Sequence, residues 1–183
     1  MDNVIGIRVR DLIEMTVLKE SHVLAGFGGL DKRVTKVNVM EVPDIVDWVR
    51  PGEFLLTTAY SIKDEIEILN TMIPAFDKLG LAGMGIKTKR FVDTLPDSVL
   101  ATAEAHNFPL IEIPFEISYS DIMMPVMSEL LNRQSAMISQ VNDFNRRITR
   151  VMLRGGSLQE IARAIQKSVG LPVAIVEPLF KSV

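Results

Sequence analysis

Up to about Pro114, short continuous apolar runs are separated by amphipathic stretches, and this rhythm predicts strands that alternate with helices. Val9 to Met15 places Val9, Leu12 and Ile13 on one face of a short opening helix. His22 to Ala25 reads as a strand that runs into a turn at Gly26-Phe27-Gly28-Gly29. Val34 to Val42 alternates in polarity, as a half-buried strand does. The segment Glu41 to Ile62, EVPDIVDWVRPGEFLLTTAYSI, then compresses a helix start, a sharp turn and a buried strand. Pro43 suits a first helical turn, because its fixed φ fits there and its missing N–H has no partner to lose, so Asp44 to Val49 is predicted as a short helix. Arg50-Pro51-Gly52-Glu53 turns the chain, with Gly52 supplying the positive φ of a type II turn. Phe54, Leu55 and Leu56 follow as a buried strand that stops at Thr57-Thr58.

Beyond that stop, Ile66, Leu69, Ile73, Phe76 and Leu79 form the stripe of an amphipathic helix over Asp64 to Leu79, with a possible kink at Pro74 and an end at Gly80. Ala82 to Ile86 is a strand whose Gly83 and Gly85 leave room for a closely packed helix. Pro96 to His106 is a helix with Pro96 in its first turn and Thr94 or Asp93 as cap, and Leu110 to Ile113 is a strand stopped by Pro114. Right-handed crossovers between such strands give an α/β fold: a mainly parallel sheet with helices on both faces, followed by a long C-terminal helix. Ligands bind outside the carboxyl ends of parallel strands, so Thr57-Thr58, Lys87-Thr88 and Pro114 are expected to share one sheet edge and to line one crevice. The candidate ligand-binding residues are Glu41, Asp44, Thr57, Thr58, Tyr60, Lys87 and Thr88, with Lys87 the best candidate for an anion-binding charge. Threonine also ends strands simply by bonding to turn backbone, and that reading stays open beside the first.

From about Ser120 to Arg154 the pattern changes. Met127, Leu130, Gln134, Met137, Val141, Phe144, Ile148 and Val151 recur at alternating spacings of three and four, and no glycine or proline interrupts the run after Pro125. This heptad seam argues for a dimeric coiled coil, with Gln134 as a polar core position that sets register; an amphipathic helix packed on its own domain is the alternative. Arg146, Arg147, Arg150 and Arg154 form a basic cluster, read as solvated or paired with acidic groups of a partner helix rather than as a phosphate site. Gly155-Gly156 ends the helix and Ser157 caps a second one with Gln159 and Glu160 in its first turn, followed by a strand at Leu171 to Val176. The expected organisation is an α/β domain over 1–119, a linker helix over 120–154, and over 155–183 the start of a further domain that cannot bury its apolar side alone.

The chain has 183 residues, 48% hydrophobic and 23% charged, which suits a soluble globular domain with a real core. A formal net charge of -3 gives no overall attraction to nucleic acid or to an anionic membrane. Without cysteine there are no disulfides or thiolate metal sites, and the composition fits a cytoplasmic protein. No signal peptide or membrane span is expected, since charges recur throughout the start and no apolar run is long enough. His22 and His106 fit no metal spacing, and the glycines at Gly26 to Gly29 lack the Lys-Ser/Thr of a phosphate loop. No nucleophile and base pair is legible either. Neither a cofactor nor a metal is expected, and nothing demands an enzyme.

VRDLIEMTVLKESHVLAG from Val9, VNVMEVPDIVDWVRPGEFLLTTAYSI from Val37, LGLAGMGIK from Leu79 and FPLIEIP from Phe108 together resemble the N-terminal domain of the PucR family, purine-catabolism-type transcriptional regulators of bacteria. The resemblance covers roughly Ile7 to Met127. MLRGGSLQEIARAIQKSVGLPVAIVEP from Met152 looks like the opening of the GAF-like middle domain common in these regulators. More loosely, LAGMGIK followed by a helix and FPLIEIP resembles the small sheet domains at the front of HPr kinase, a likeness of fold that licenses no kinase activity. The PucR resemblance implies an effector-sensing or signal-coupling domain of a regulator of catabolic genes, homodimeric through the long helix. Its effector would be a small catabolite, and DNA would be met only through a C-terminal helix-turn-helix domain not in this chain. A ligand-free dimerisation or assembly module is the competing function.

Overall fold

The computed structural model describes residues 6–42 and 44–176, so the role expected of Pro43 lies outside the described residues. Contacts divide the chain into two compact units, 1–133 and 134–183. In the first, β2 (His22–Ala25), β4 (Lys36–Val39), β5 (Glu53–Thr57), β6 (Gly83–Ile86) and β7 (Leu110–Glu112) form a sheet in the order β2-β7-β6-β5-β4. All neighbours are parallel except β2, which runs antiparallel to β7 at the edge. A small ribbon pairs β1 (Ile7–Arg8) with β3 (Arg33–Val34).

The expected mainly parallel sheet with helices on both faces is present, and the topology explains how. Strands β4 to β7 lie side by side in chain order, so every crossover between them falls on the same face. That face holds the short 3-10 turn Ile45–Asp47, α2 (Leu69–Lys78) and α3 (Asp97–Ala105), which bury Ile45, Leu69, Ile73, Phe76, Val99 and Ala103 against Leu55, Met84 and Leu110. The opposite face is covered by α1 (Val9–Ile13) and by the start of the long helix α4 (Tyr119–Leu153). Val9, Leu12, Ile122, Val126 and Leu130 pack there with Phe54, Leu56 and Ile111. Alternate residues of β5 thus face opposite layers, and the whole strand is buried, which is why its sequence reads as a continuous apolar run.

Several expectations need correction. Val34 to Val42 is not one strand. It breaks at Thr35, whose N–H and hydroxyl both bond to the Gly52 carbonyl, at 2.8 and 3.2 Å. The Arg50 to Glu53 turn forms as expected, with the Glu53 N–H on the Arg50 carbonyl at 3.2 Å and Gly52 at φ 78°. The helix expected from Asp64 is a 3-10 segment over Tyr60–Ile68, interrupted at Glu65, before α2 begins at Leu69. Pro96 does not lie in the first turn of α3 but precedes it with extended backbone, and no side chain caps that end. The glycines of β6 make room for neighbours within the sheet layer rather than for a helix. A Cβ at Gly85 would lie 2.3 Å from Ile113 Cδ1, and one at Gly83 2.9 Å from the Pro109 carbonyl oxygen.

In the second unit, the rest of α4 is followed by a turn at Gly155-Gly156 and by α5 (Leu158–Val169). Ser157 and Glu160 form the expected capping box, and Gly170 ends the helix at φ 72°. The strand expected at Leu171 to Val176 is absent: those residues follow an irregular path, and among the described residues no strand lies beside them to supply the ladder a β conformation needs. Among the described residues no helix is long and apolar enough to cross a membrane.

Candidate functional site

The carboxyl ends of the three central strands are level. Thr57 of β5 is in register with Ile86 of β6, and Ile86 with Glu112 of β7, so the residues that follow all leave the sheet at one edge. Each exit is held by specific bonds. The Thr57 hydroxyl donates to the Met40 carbonyl at 3.2 Å and accepts the Ala59 N–H at 2.9 Å. Ala59 is fully buried at φ 57°, a left-handed conformation that alanine rarely adopts and that the surrounding bonds must enforce. Tyr60 and Ser61, which follow it, line a cleft together with Thr58.

Lys87 follows β6 and is almost wholly buried. Its ammonium donates to the carbonyls of Phe115 and Ile117 and sits 4.7 Å from the centre of the Tyr119 ring. Burial, assisted by the charge of Arg90, pulls its pKa below the ordinary lysine value, against the opposing pull of Asp121 and Glu116. Lys87 therefore braces the segment that carries the chain from β7 into α4. The entry to α4 is fixed a second time, because the Ser118 hydroxyl accepts the Asp121 N–H at 3.2 Å while the Asp121 carboxylate accepts the Ser118 N–H at 3.3 Å.

This braced segment crosses the sheet edge and divides the expected crevice in two. One cleft, about 180 Å³, is lined by Val39, Met40, Glu41, Thr58, Tyr60, Ser61 and Tyr119. A second of similar size lies at the β2 and β7 side and includes His22, Thr88, Lys89, Glu112 and Glu116. Of the residues singled out in the sequence, Glu41, Thr58 and Tyr60 come together in the first cleft. Thr88 falls in the second, where its hydroxyl is bonded to Glu112. Thr57 is committed to backbone bonds, Lys87 to its brace, and Asp44 is exposed and lines neither cleft.

Two residues that sequence reasoning passed over complete the first cleft. The hydroxyls of Ser61 and Tyr119 are buried and have no hydrogen-bond partner. Burial pushes the Tyr119 phenol up to about 12, so at neutral pH it keeps its proton and can only donate or accept a hydrogen bond. Thr58 lies close enough to ease its ionisation, although the pair lacks hydrogen-bond geometry. On the rim, Tyr60 meets Phe91 edge to face at 4.8 Å, with Lys63 and Arg90 over the two rings. The cleft is therefore lined by two residues with buried, unpartnered hydroxyls, Ser61 and Tyr119, by Glu41 as a carboxylate acceptor, and by an aromatic lip. Among the described residues no cluster of histidine and carboxylate groups is placed to hold a metal ion.

Comparison with known proteins places this arrangement. Residues 11–130 match the model of the purine catabolism regulatory protein-like family, PucR. The chain belongs to that family. It is 32% identical over 169 residues to the purine catabolism regulatory protein of Bacillus subtilis (strain 168), a match that covers 92% of this chain and 32% of the relative. It is also 28% identical over 103 residues to the transcriptional activator PmfR of Paenarthrobacter nicotinovorans, covering 56% of this chain and 22% of that protein. The chain thus spans a third or less of the curated relatives it matches. Both relatives are named as regulators and neither as an enzyme, in line with the non-enzymatic reading of the sequence. The family match takes in both clefts, the Lys87 brace and the first turns of α4.

Proposed function

We propose that this PucR-family chain is the input part of a bacterial transcriptional regulator of catabolic genes, and that a small catabolite fills the cleft bounded by Glu41, Thr58, Tyr60, Ser61 and Tyr119. The observation that carries this reading is the Tyr119 hydroxyl. It is a buried, unpartnered hydroxyl on a residue that lines the cleft, and it belongs to the first residue of α4. An unsatisfied buried hydroxyl costs about 1–3 kcal/mol, a cost that a ligand able to accept its hydrogen bond removes. Any difference in that contact between two settings of the helix start is free energy available to bias them. The output then passes along α4, homodimeric in this reading, toward a DNA-binding domain elsewhere in the full-length regulator.

A cleft of about 180 Å³ is small against typical ligand sites, which favours a compact, polar molecule or one polar end of a larger one. The test is a thermal-shift screen of purine, amino-acid and sugar-acid catabolites, followed by calorimetry on the wild type and on Tyr119→Phe and Glu41→Gln. A true effector at 100 times its Kd stabilises the wild type by about 2.7 kcal/mol and does so less in both variants. A screen with no hit, or a hit indifferent to both substitutions, removes the reading. The exposed Tyr60 and Phe91 pair favours the competing assembly module, in which protein rather than a metabolite covers this edge. Protection of the edge from amide exchange in the full-length regulator without ligand would support that alternative.

A further inference from the structure

The heptad seam read from the sequence includes Leu130, yet Leu130 is only 3% exposed and packs with Ile122 and Val126 against the chain's own sheet. In the second unit Phe144, Ile148 and Val151 are half-buried, and Val151 lies against the Gly156 turn. These positions face inward. Besides Met137, Met152 and Leu153, the apolar residues that α4 leaves exposed are Met124, Met127, Leu131, Ile138 and Val141, with Leu131 at 57% and Ile138 at 62%. With Gln134 and Asn145 they fall at 124, 127, 131, 134, 138, 141 and 145, again an unbroken alternation of three and four.

We propose that this stripe is the surface through which a second copy of the chain docks, as a parallel, in-register coiled coil over Met124 to Asn145. The proposal deepens the reading of α4 as a dimeric output by naming which face makes the pair. Charge placement identifies the occupant. With Met124, Leu131, Ile138 and Asn145 at position a and Met127, Gln134 and Val141 at d, all charged residues from Met124 to Arg154 fall at the outer positions b, c and f. They are Glu129, Arg133, Asp143, Arg146, Arg147, Arg150 and Arg154. Flanking positions e and g over the proposed stretch carry only Ser128, Leu130, Ser135, Met137, Asn142 and Phe144. Two identical helices can therefore approach without like charges facing across the seam, whereas a partner chosen by charge would find nothing at e and g to read. In the register read from sequence alone, Arg133 and Arg147 occupy flanking g positions, where each would meet a partner's seam. Gln134 and Asn145 are polar within the stripe, and in a parallel in-register pair each faces its own copy and can hydrogen-bond to it. The stripe is about 30 Å long, and a helix of this length gains most of its stability from a packed face.

The chain contains no cysteine, so single substitutions give unambiguous cross-links. Under mild oxidation, Met124→Cys and Ile138→Cys in the full chain should each yield a covalent dimer as the main product, because facing a positions bring Cα atoms within disulfide reach. Ala136→Cys, on the outer face, should stay mostly monomeric. Light scattering at tens of micromolar should give about twice the 20.4 kDa chain mass, and Leu131→Glu with Ile138→Glu should restore the single-chain mass with the unfolding transition intact, since both side chains are exposed. Equal cross-linking at Ala136→Cys, a dimer linked at Ile138→Cys but not at Met124→Cys, or a monomeric wild type would each overturn the proposal. A monomer that still binds a catabolite would remove the seam and leave the effector reading standing; a dimer that binds none would do the reverse.

Discussion

Tyr119→Phe should make the ligand-free protein more stable. The substitution deletes a buried hydroxyl without a hydrogen-bond partner and leaves the ring over Lys87 in place. Full relief of an unsatisfied buried hydroxyl amounts to about 1–3 kcal/mol. Tyr119 as a whole is only half-buried, and Thr58 stands nearby, so the expected gain is at the lower end, about 1 kcal/mol. In a chain of this length that raises Tm by about 2–4 °C. Urea unfolding followed by circular dichroism should show a higher midpoint at unchanged slope. Alkaline pH gives an independent check. Burial raises the folded-state pKa of Tyr119 to about 12 from an ordinary 10. Above pH 10 the unfolded chain releases this proton while the folded one keeps it, so wild-type stability falls between about pH 10 and 12. Partial exposure keeps the slope below the ideal of about 1.4 kcal/mol per pH unit. The Phe variant should lack this component of the decline, and its ultraviolet titration should lose a phenol with a midpoint near 12. A variant destabilised by 1 kcal/mol or more would refute the reasoning, since it would mean that the hydroxyl is satisfied in the folded protein and is no free donor for a ligand.

Other perturbations follow from the same contacts. Asp77 of α2 lies 2.6 Å from the Lys32 ammonium and 3.6 Å from His106. Burial works to raise its carboxyl, but the hydrogen bonds and charges of Lys32 and His106 outweigh it and hold the pKa below the usual carboxylate value. The stability this contributes is present above the unfolded pKa near 4 and is lost as pH falls through the folded one, so Asp77→Asn should flatten the acid limb of the stability curve measured below about pH 4. Gly85→Ala should cost about 1–3 kcal/mol, because the new Cβ meets Ile113 Cδ1 at 2.3 Å and Leu56 Cδ2 at 3.1 Å; adding Ile113→Val should recover part of the loss in urea unfolding, and simple additivity would count against this packing account. Lys87→Met keeps the buried stem but leaves the Phe115 and Ile117 carbonyls without their donor. Amide exchange from Ser118 to Ile122 should accelerate about tenfold, the equivalent of roughly 1.4 kcal/mol, and unchanged exchange would show that Lys87 is not the brace.

What the sequence made legible was periodicity, and what it concealed was set by contacts between distant segments. The apolar run Phe54 to Leu56 predicts a central strand because both faces of β5 are buried, and Gly52 marks its turn because no other residue takes that φ as readily. The break at Thr35 was not legible, since alternation continues through it; it depends on bonds to Gly52, seventeen positions on. Leu171 to Val176 misled for the opposite reason. Its composition is that of a strand, but strand formation requires a neighbour, and apolar character alone cannot supply one. Gly83 and Gly85 announced close packing correctly while leaving its partner unnamed, because a missing side chain records that space is filled and not by what.

The same distinction governs the candidate site. Level strand ends follow from the alternation of strands and helices, so Thr58 and Lys87 could be placed at one edge from sequence. Whether they share a cavity depends on the path from β7 to α4, and that path is decided by where the Lys87 ammonium finds acceptors. It finds them in the Phe115 and Ile117 carbonyls, which pulls the segment across the edge and brings Tyr119 down beside Thr58. The residue that looked most like a ligand-binding charge therefore acts on the site indirectly, by delivering the first residue of α4 to it. In the proposed reading, this is how the cleft is tied to the start of the helix. If a catabolite fills the cleft as proposed, its hydrogen bond to the Tyr119 hydroxyl bears on a ring that Lys87 also touches, so occupancy of the cleft and the setting of α4 would share one structural element. The Ser118 and Asp121 exchange across the first helical turn was the one local signal of this arrangement in the sequence: it fixes where α4 begins, and hence that Tyr119 rides on its first turn.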